Sequence, residues 1–133
     1  MTMWRLGAGL AALALVACHV GTRASSFAPA IDPEGVSAQI VTHAETFEAE
    51  VLAVSDTALL LLRNRTVVLA RYAAIREATF QQVSETVERG VVPDSATRER
   101  LRLISRFPRG VSREQLRALL AAYGQPAVDV LAR

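Results

Sequence analysis

Side chains able to do covalent or acid–base chemistry are few in this 133-residue chain. Cys18 is the only thiol, so no intramolecular disulfide can form. His19 and His43 have no companions at ligand spacing. With no second cysteine and no His-x-x-x-His pattern, a zinc site is not expected. Glu48 and Glu50 are the one carboxylate pair on a shared strand face, an arrangement that could in principle serve glycoside hydrolysis. One Trp, two Tyr and four Phe make a poor sugar cleft, and a solvated strand face is the better reading. A Gly-x-Ser-x-Gly elbow and a phosphate-cradling glycine loop are both missing. A Ser-x-x-Lys pair is excluded outright, because all fifteen basic side chains are arginine. No enzyme, cofactor or metal is expected.

What is left for recognition is arginine. Arg98, Arg102 and Arg106 recur every four residues, and Arg109, Arg113 and Arg117 follow. Planar guanidinium groups bind carboxylates and phosphates in two-pronged fashion, so these six are the candidate partner-binding residues. The charge is divided along the chain. Residues 24–94 hold five Arg against ten acids, a net of −5, while residues 95–133 hold eight Arg against three acids, a net of +5. A total of +2 falls short of the basic excess of a nucleic-acid binder. Complementarity to the acidic half of the chain, or to anionic lipid heads, suits the stripe better.

The first residues read as an address. Arg5 precedes Leu6 to Ala17, an uncharged run of twelve residues rich in Leu, Ala and Gly. A spanning helix needs roughly 20 apolar residues, whereas a short positive leader with an apolar middle is a secretory signal. The run ends in Leu15-Val16-Ala17-Cys18, which resembles the lipobox of bacterial lipoproteins, with cleavage between Ala17 and Cys18. That resemblance implies removal of residues 1–17 and acylation of Cys18. It also implies a protein held in the cell envelope by lipid. His19, standing where an Asp would signal inner-membrane retention, implies the outer membrane, facing the periplasm. Residues 18–35 lack periodicity and hold Pro29, Asp32 and Pro33, so they read as a tether.

Residues 36–80 switch to short alternating runs. Val36, Ala38, Ile40 and Thr42 fall on one face of a first strand. Phe47, Ala49 and Val51 face inward on a second, with Glu48 and Glu50 toward water. Ser55-Asp56-Thr57 is a turn. Ala58 to Leu62 is a buried strand, and Asn64-Arg65 a tight hairpin. Thr66 to Leu69 is the returning strand, Tyr72 to Ile75 a helical turn, and Arg76 to Phe80 a last strand. This order resembles the Sm-like and SH3-like small barrels, most closely over Val67 to Arg76. The hairpin lacks the glycine of RNA-binding Sm proteins, and no aromatic stacking platform accompanies the arginines. Nucleic-acid binding is therefore not implied.

Residues 81–93 read as a linker or a strand extension. Asp94 or Ser95 caps a helix from about Ala96 to Phe107, ended by Pro108 and Gly110. Ser112-Arg113-Glu114-Gln115 matches a capping box, flanked by Val111 and Leu116 as a staple. Leu116, Leu119, Leu120 and Tyr123 then repeat at helical spacing up to Gly124 and Pro126. Val128, Val130 and Leu131 form a last strand or turn.

The expectation is an α+β chain. A four- to five-stranded antiparallel barrel-like unit precedes a C-terminal helical pair over residues 94–133, arranged as a hairpin or as an angled pair. The function expected is that of a non-catalytic binding or structural module of the envelope, held at the membrane through Cys18 and meeting a protein partner. The rivals are a membrane-surface protein that binds anionic lipid through its basic helices, and a small-ligand carrier or hydrolase with a cavity invisible in sequence.

Overall fold

The computed structural model describes residues 35–81, 85–88, 90 and 92–132. Residues 1–34, on which the expected signal segment, the expected cleavage between Ala17 and Cys18 and most of the expected tether fall, lie outside the described residues. Among the described residues no helix is long and apolar enough to cross a membrane.

The fold is α+β. β1 (Ser37–Val41), β2 (Thr46–Val54), β3 (Ala58–Arg63) and β4 (Thr66–Arg71) come first, followed by a 3₁₀ turn at Tyr72–Ala74. Next are β5 (Glu77–Phe80), β6 (Glu85–Glu88), α1 (Ser95–Ile104), α2 (Arg113–Ala122) and β7 (Asp129–Val130). The strands form one open sheet in the order β6-β5-β1-β2-β3-β4-β7. Every pairing is antiparallel except β4 with β7. The sheet has seven strands among the described residues, five of them within residues 37–80 and two beyond. β6 extends it beyond β5, in the stretch read as a linker or strand extension, and β7 adds a two-residue pairing where a last strand or turn was expected.

Local chemistry explains the central strands. Asn64 and Arg65 both take positive φ, 46° and 66°, the left-handed pair that matches the twist of a two-residue hairpin. Ser55 closes the preceding turn: its backbone N–H and its hydroxyl both donate to the carbonyl of Ala58, at 2.9 Å each. β2 carries a bulge between Val51 and Ala53, where its register against β3 shifts. The extra residue, Leu52, is fully buried on the opposite face from Val51.

Alternation then splits the core in two. Leu59 and Leu61 of β3 join Val36, Ile40, Val51, Ile75 and Phe80 on the inner face, closed by Leu101 of α1. Leu62 joins Leu52 and Val67 on the outer face, closed by Leu119 of α2. Leu60, Phe107, Val111, Leu116 and Tyr123 pack around this second cluster. The two helices therefore dock on opposite faces of the sheet and not along each other as a hairpin would place them. The connector explains why. α1 stops at Ile104, three residues before the sequence suggested, because the Ser105 hydroxyl caps the Arg102 carbonyl at 2.7 Å and the chain turns extended. It then runs along the part of β2 that β1 does not cover. There Val36 N–H donates to Ile104, Arg106 N–H to Val51 and Phe107 N–H to Leu52. These bonds satisfy backbone groups that would otherwise be bare and carry the chain from one face to the other.

Candidate functional site

The six candidate arginines sit on α1, on the connector and on α2, and the fold sends them in two directions. Arg98 and Arg102, one turn apart on α1, both reach toward Asp56 in the β2–β3 turn. Arg102 Nη2 lies 2.9 Å from the Asp56 carboxylate and Arg98 Nε 3.9 Å from it. Arg102 Nε also donates to the Val54 carbonyl at 3.3 Å. Tyr72, beneath them, donates its hydroxyl to the Ser55 carbonyl at 2.9 Å. Burial raises the pKa of that hydroxyl, despite the opposing pull of Arg98 and Arg102.

Arg106 is the most enclosed of the six. Its side chain is 6% exposed and that of Glu50 only 2%, so the pair is nearly dry. The guanidinium meets the carboxylate with two prongs, Nε to Oε1 at 2.8 Å and Nη2 to Oε2. Burial works to lower the Arg106 pKa, but its hydrogen bonds to Glu50 and Tyr123 outweigh that and raise it. Glu50 Oε1 also accepts the Gly35 backbone N–H at 2.7 Å. Gly35 tolerates no side chain here. A Cβ would lie 2.8 Å from the Val51 carbonyl oxygen and 3.1 Å from the Arg106 nitrogen. The reading of Glu50 as a water-facing residue is therefore corrected: it shares a strand face with Glu48, but the connector covers it. Glu48 stays exposed, while Glu50 is engaged by Arg106 and Gly35.

Arg109, Arg113 and Arg117 are all exposed. Arg113 and Arg117, four residues apart, share one face of α2, and Arg109 lies in the turn just before it. The capping box fixes the start of this helix: Gln115 N–H donates to the Ser112 hydroxyl at 3.1 Å and Ser112 N–H to Gln115 Oε1 at 2.9 Å. Arg65, also exposed, lays its guanidinium 5.5 Å from the Tyr123 ring at the far end of α2. Glu114 is the one acid between residues 105 and 126. Arg98, Arg102 and Arg106 thus face the protein's own carboxylates, while Arg109, Arg113 and Arg117 face outward.

Elsewhere, His43 is exposed in the β1–β2 turn and not on a strand. A depression of about 250 Å³ lies against β4 and β7, lined by Arg63, Asn64, Thr66, Val68, Asp129 and Leu131. Among the described residues no three His, Cys, Asp or Glu come together to hold a metal ion. No family model matches the chain, and no curated protein or solved structure matches it either.

The Glu50–Arg106 pair is the feature that sequence reasoning missed. The two residues are 56 apart, and nothing local to either marks the contact. Only the connector's path over β2 brings them together.

Proposed function

We propose that this chain is a lipid-anchored, non-catalytic module of the bacterial cell envelope, held through acylated Cys18 at the outer membrane, that works by binding another envelope component through α2. The observation that carries this reading is the division of the arginines. Three are matched by carboxylates of β2 and the turn after it, whereas Arg113 and Arg117 on the capped helix and exposed Arg109 in the turn before it have Glu114 as the one acid near them in sequence. Unmatched cations on a rigid element are a surface ready for an anionic counterpart.

The finer fold reading is a small open barrel of the Sm-like or SH3-like kind, with β6 and β7 added at its two edges. The order β5-β1-β2-β3-β4, the bulge in β2 and the 3₁₀ turn between β4 and β5 support it.

Two measurements test the proposal. Mass spectrometry of the mature N-terminus should find Cys18 first in the chain and carrying acyl groups. An intact, unmodified leader in cytosolic protein would end the envelope reading. Replacing Arg109, Arg113 and Arg117 together by Glu should weaken the chain's association with envelope components and leave its thermal stability close to wild type. Undiminished association would show that binding occurs elsewhere.

A further inference from the structure

We infer that the outer face of α2, with Arg109 in the turn before it, rests on the anionic headgroups of the same bilayer that holds Cys18. The inference builds on the proposed lipid anchor and adds an orientation to it.

The point where the tether joins the body supports this. Gly35 donates to Glu50 and packs against the Arg106 backbone, while Val36 donates to the Ile104 carbonyl. The chain thus enters the folded body beside the connector, three residues before exposed Arg109. At 3.8 Å per Cα step, the Arg106 and Arg109 Cα atoms are at most about 11 Å apart. Arg109, which leads into the basic face, accordingly lies close to the point where the tether joins the folded body. Gly35 is 35 − 18 = 17 residues from Cys18, a span of at most about 60 Å when fully extended.

Charge and shape favour lipid over a protein partner. Energetic centres of protein interfaces are enriched in Trp, Tyr and Arg packed into pockets. The exposed side chains of α2 bring the arginines without an aromatic or large apolar companion: they are Arg113, Glu114 and Arg117 with the small Ala118, Ala121 and Ala122. The large exposed apolar residues Val92, Leu103 and Val130 lie ahead of α1, on α1 and on β7. A smooth, positively charged face suits headgroups, which ask only for charge within about a Debye length, roughly 8 Å at physiological salt. Each arginine near an anionic surface is worth about fivefold in affinity, so three give about a hundredfold. That is weak for a free protein. It suffices for one already tethered, because the second contact becomes intramolecular.

The test uses the acylated full chain carrying Ala118→Cys, in which lipid blocks Cys18 and the new thiol on exposed α2 takes an environment-sensitive dye. The chain is reconstituted into phosphatidylcholine vesicles, with or without phosphatidylglycerol, and probed with a headgroup-bound quencher. Quenching at position 118 should be severalfold stronger with phosphatidylglycerol. It should fall to the zwitterionic level in high salt or when Arg109, Arg113 and Arg117 are all replaced by Glu. A dye at Ala73→Cys, exposed on the 3₁₀ turn, should not respond to lipid charge. Equal quenching in both vesicles, or quenching that survives the triple reversal, overturns the inference. So does protection of position 118 that requires added envelope proteins, which would hand this face to a protein. Mass analysis before reconstitution separates the two failures: an unacylated Cys18 brings down the anchor and this orientation together, whereas an acylated chain with an unresponsive dye brings down the orientation alone.

Discussion

α1 and α2 have ten residues each, carry arginines at four-residue spacing and bury one leucine completely, yet they are held in different ways. α1 lies on the inner face and is tied to the sheet by charge: Arg102 and Arg98 converge on Asp56, and Arg106 just beyond the helix closes on Glu50. α2 lies on the outer face, held by Leu119 and its neighbours and by its capping box. What decides the fate of an arginine here is whether the sheet offers a carboxylate opposite it. Where it does, the side chain is spent on architecture; where it does not, the cation is left for something outside the molecule.

The sharpest way to break the comparison is to remove the buried acid. Glu50→Ala leaves the Arg106 guanidinium enclosed without its counter-ion and should cost about 3–5 kcal/mol in denaturant unfolding. Replacing Glu50 by Leu and Arg106 by Met together should recover much of that loss, since an apolar pair of similar volume is often neutral or better. If the single variant is no less stable than wild type, charge does not fix the connector. Next in size, Gly35→Ala drives a methyl toward the Val51 carbonyl and should cost about 1–3 kcal/mol by thermal melting. On the α2 side, Ser112→Ala removes one half of the capping box and should cost about 1 kcal/mol, with faster amide exchange in α2 and none in α1.

The smallest effect is one of pH. Asp94 caps α1 by accepting the Thr97 N–H at 2.7 Å, and that bond holds its carboxyl below the usual value. A carboxyl whose folded pKa is depressed contributes stability above its unfolded pKa and loses it as pH falls through the folded one. Acidification through the carboxylate range should therefore lower the protection factor at Thr97, the exchange rate corrected for its intrinsic pH dependence. The Ser112 cap of α2 does not titrate there, so protection at Gln115 should fall less than at Thr97.

How much of this was legible beforehand follows the range of the interactions. Val36, Ala38, Ile40 and Thr42 are all buried on one face of β1, as their alternation indicated. The hairpin at Asn64-Arg65 and the capping box at Ser112-Gln115 were equally readable, because each is decided within four residues. Glu50 was read as solvated because the pattern of Phe47, Ala49 and Val51 says only that Glu50 points away from them. Whether water or Arg106 waits on that side depends on a connector more than fifty residues later. The helices were found, but their mutual placement was not, since a short link between two helices looks the same whether they fold onto one another or straddle a sheet.

The connector has one more consequence, for the order of synthesis. Until residues 104–107 have left the ribosome, the Val51 and Leu52 carbonyls at the edge of β2 stand without the donors that the connector supplies, an invitation to pair with a neighbouring chain. A nascent product halted before that stretch is therefore a sticky object. Only the arrival of the last thirty or so residues makes the earlier strands safe to release, as expected where distant contacts must close the fold.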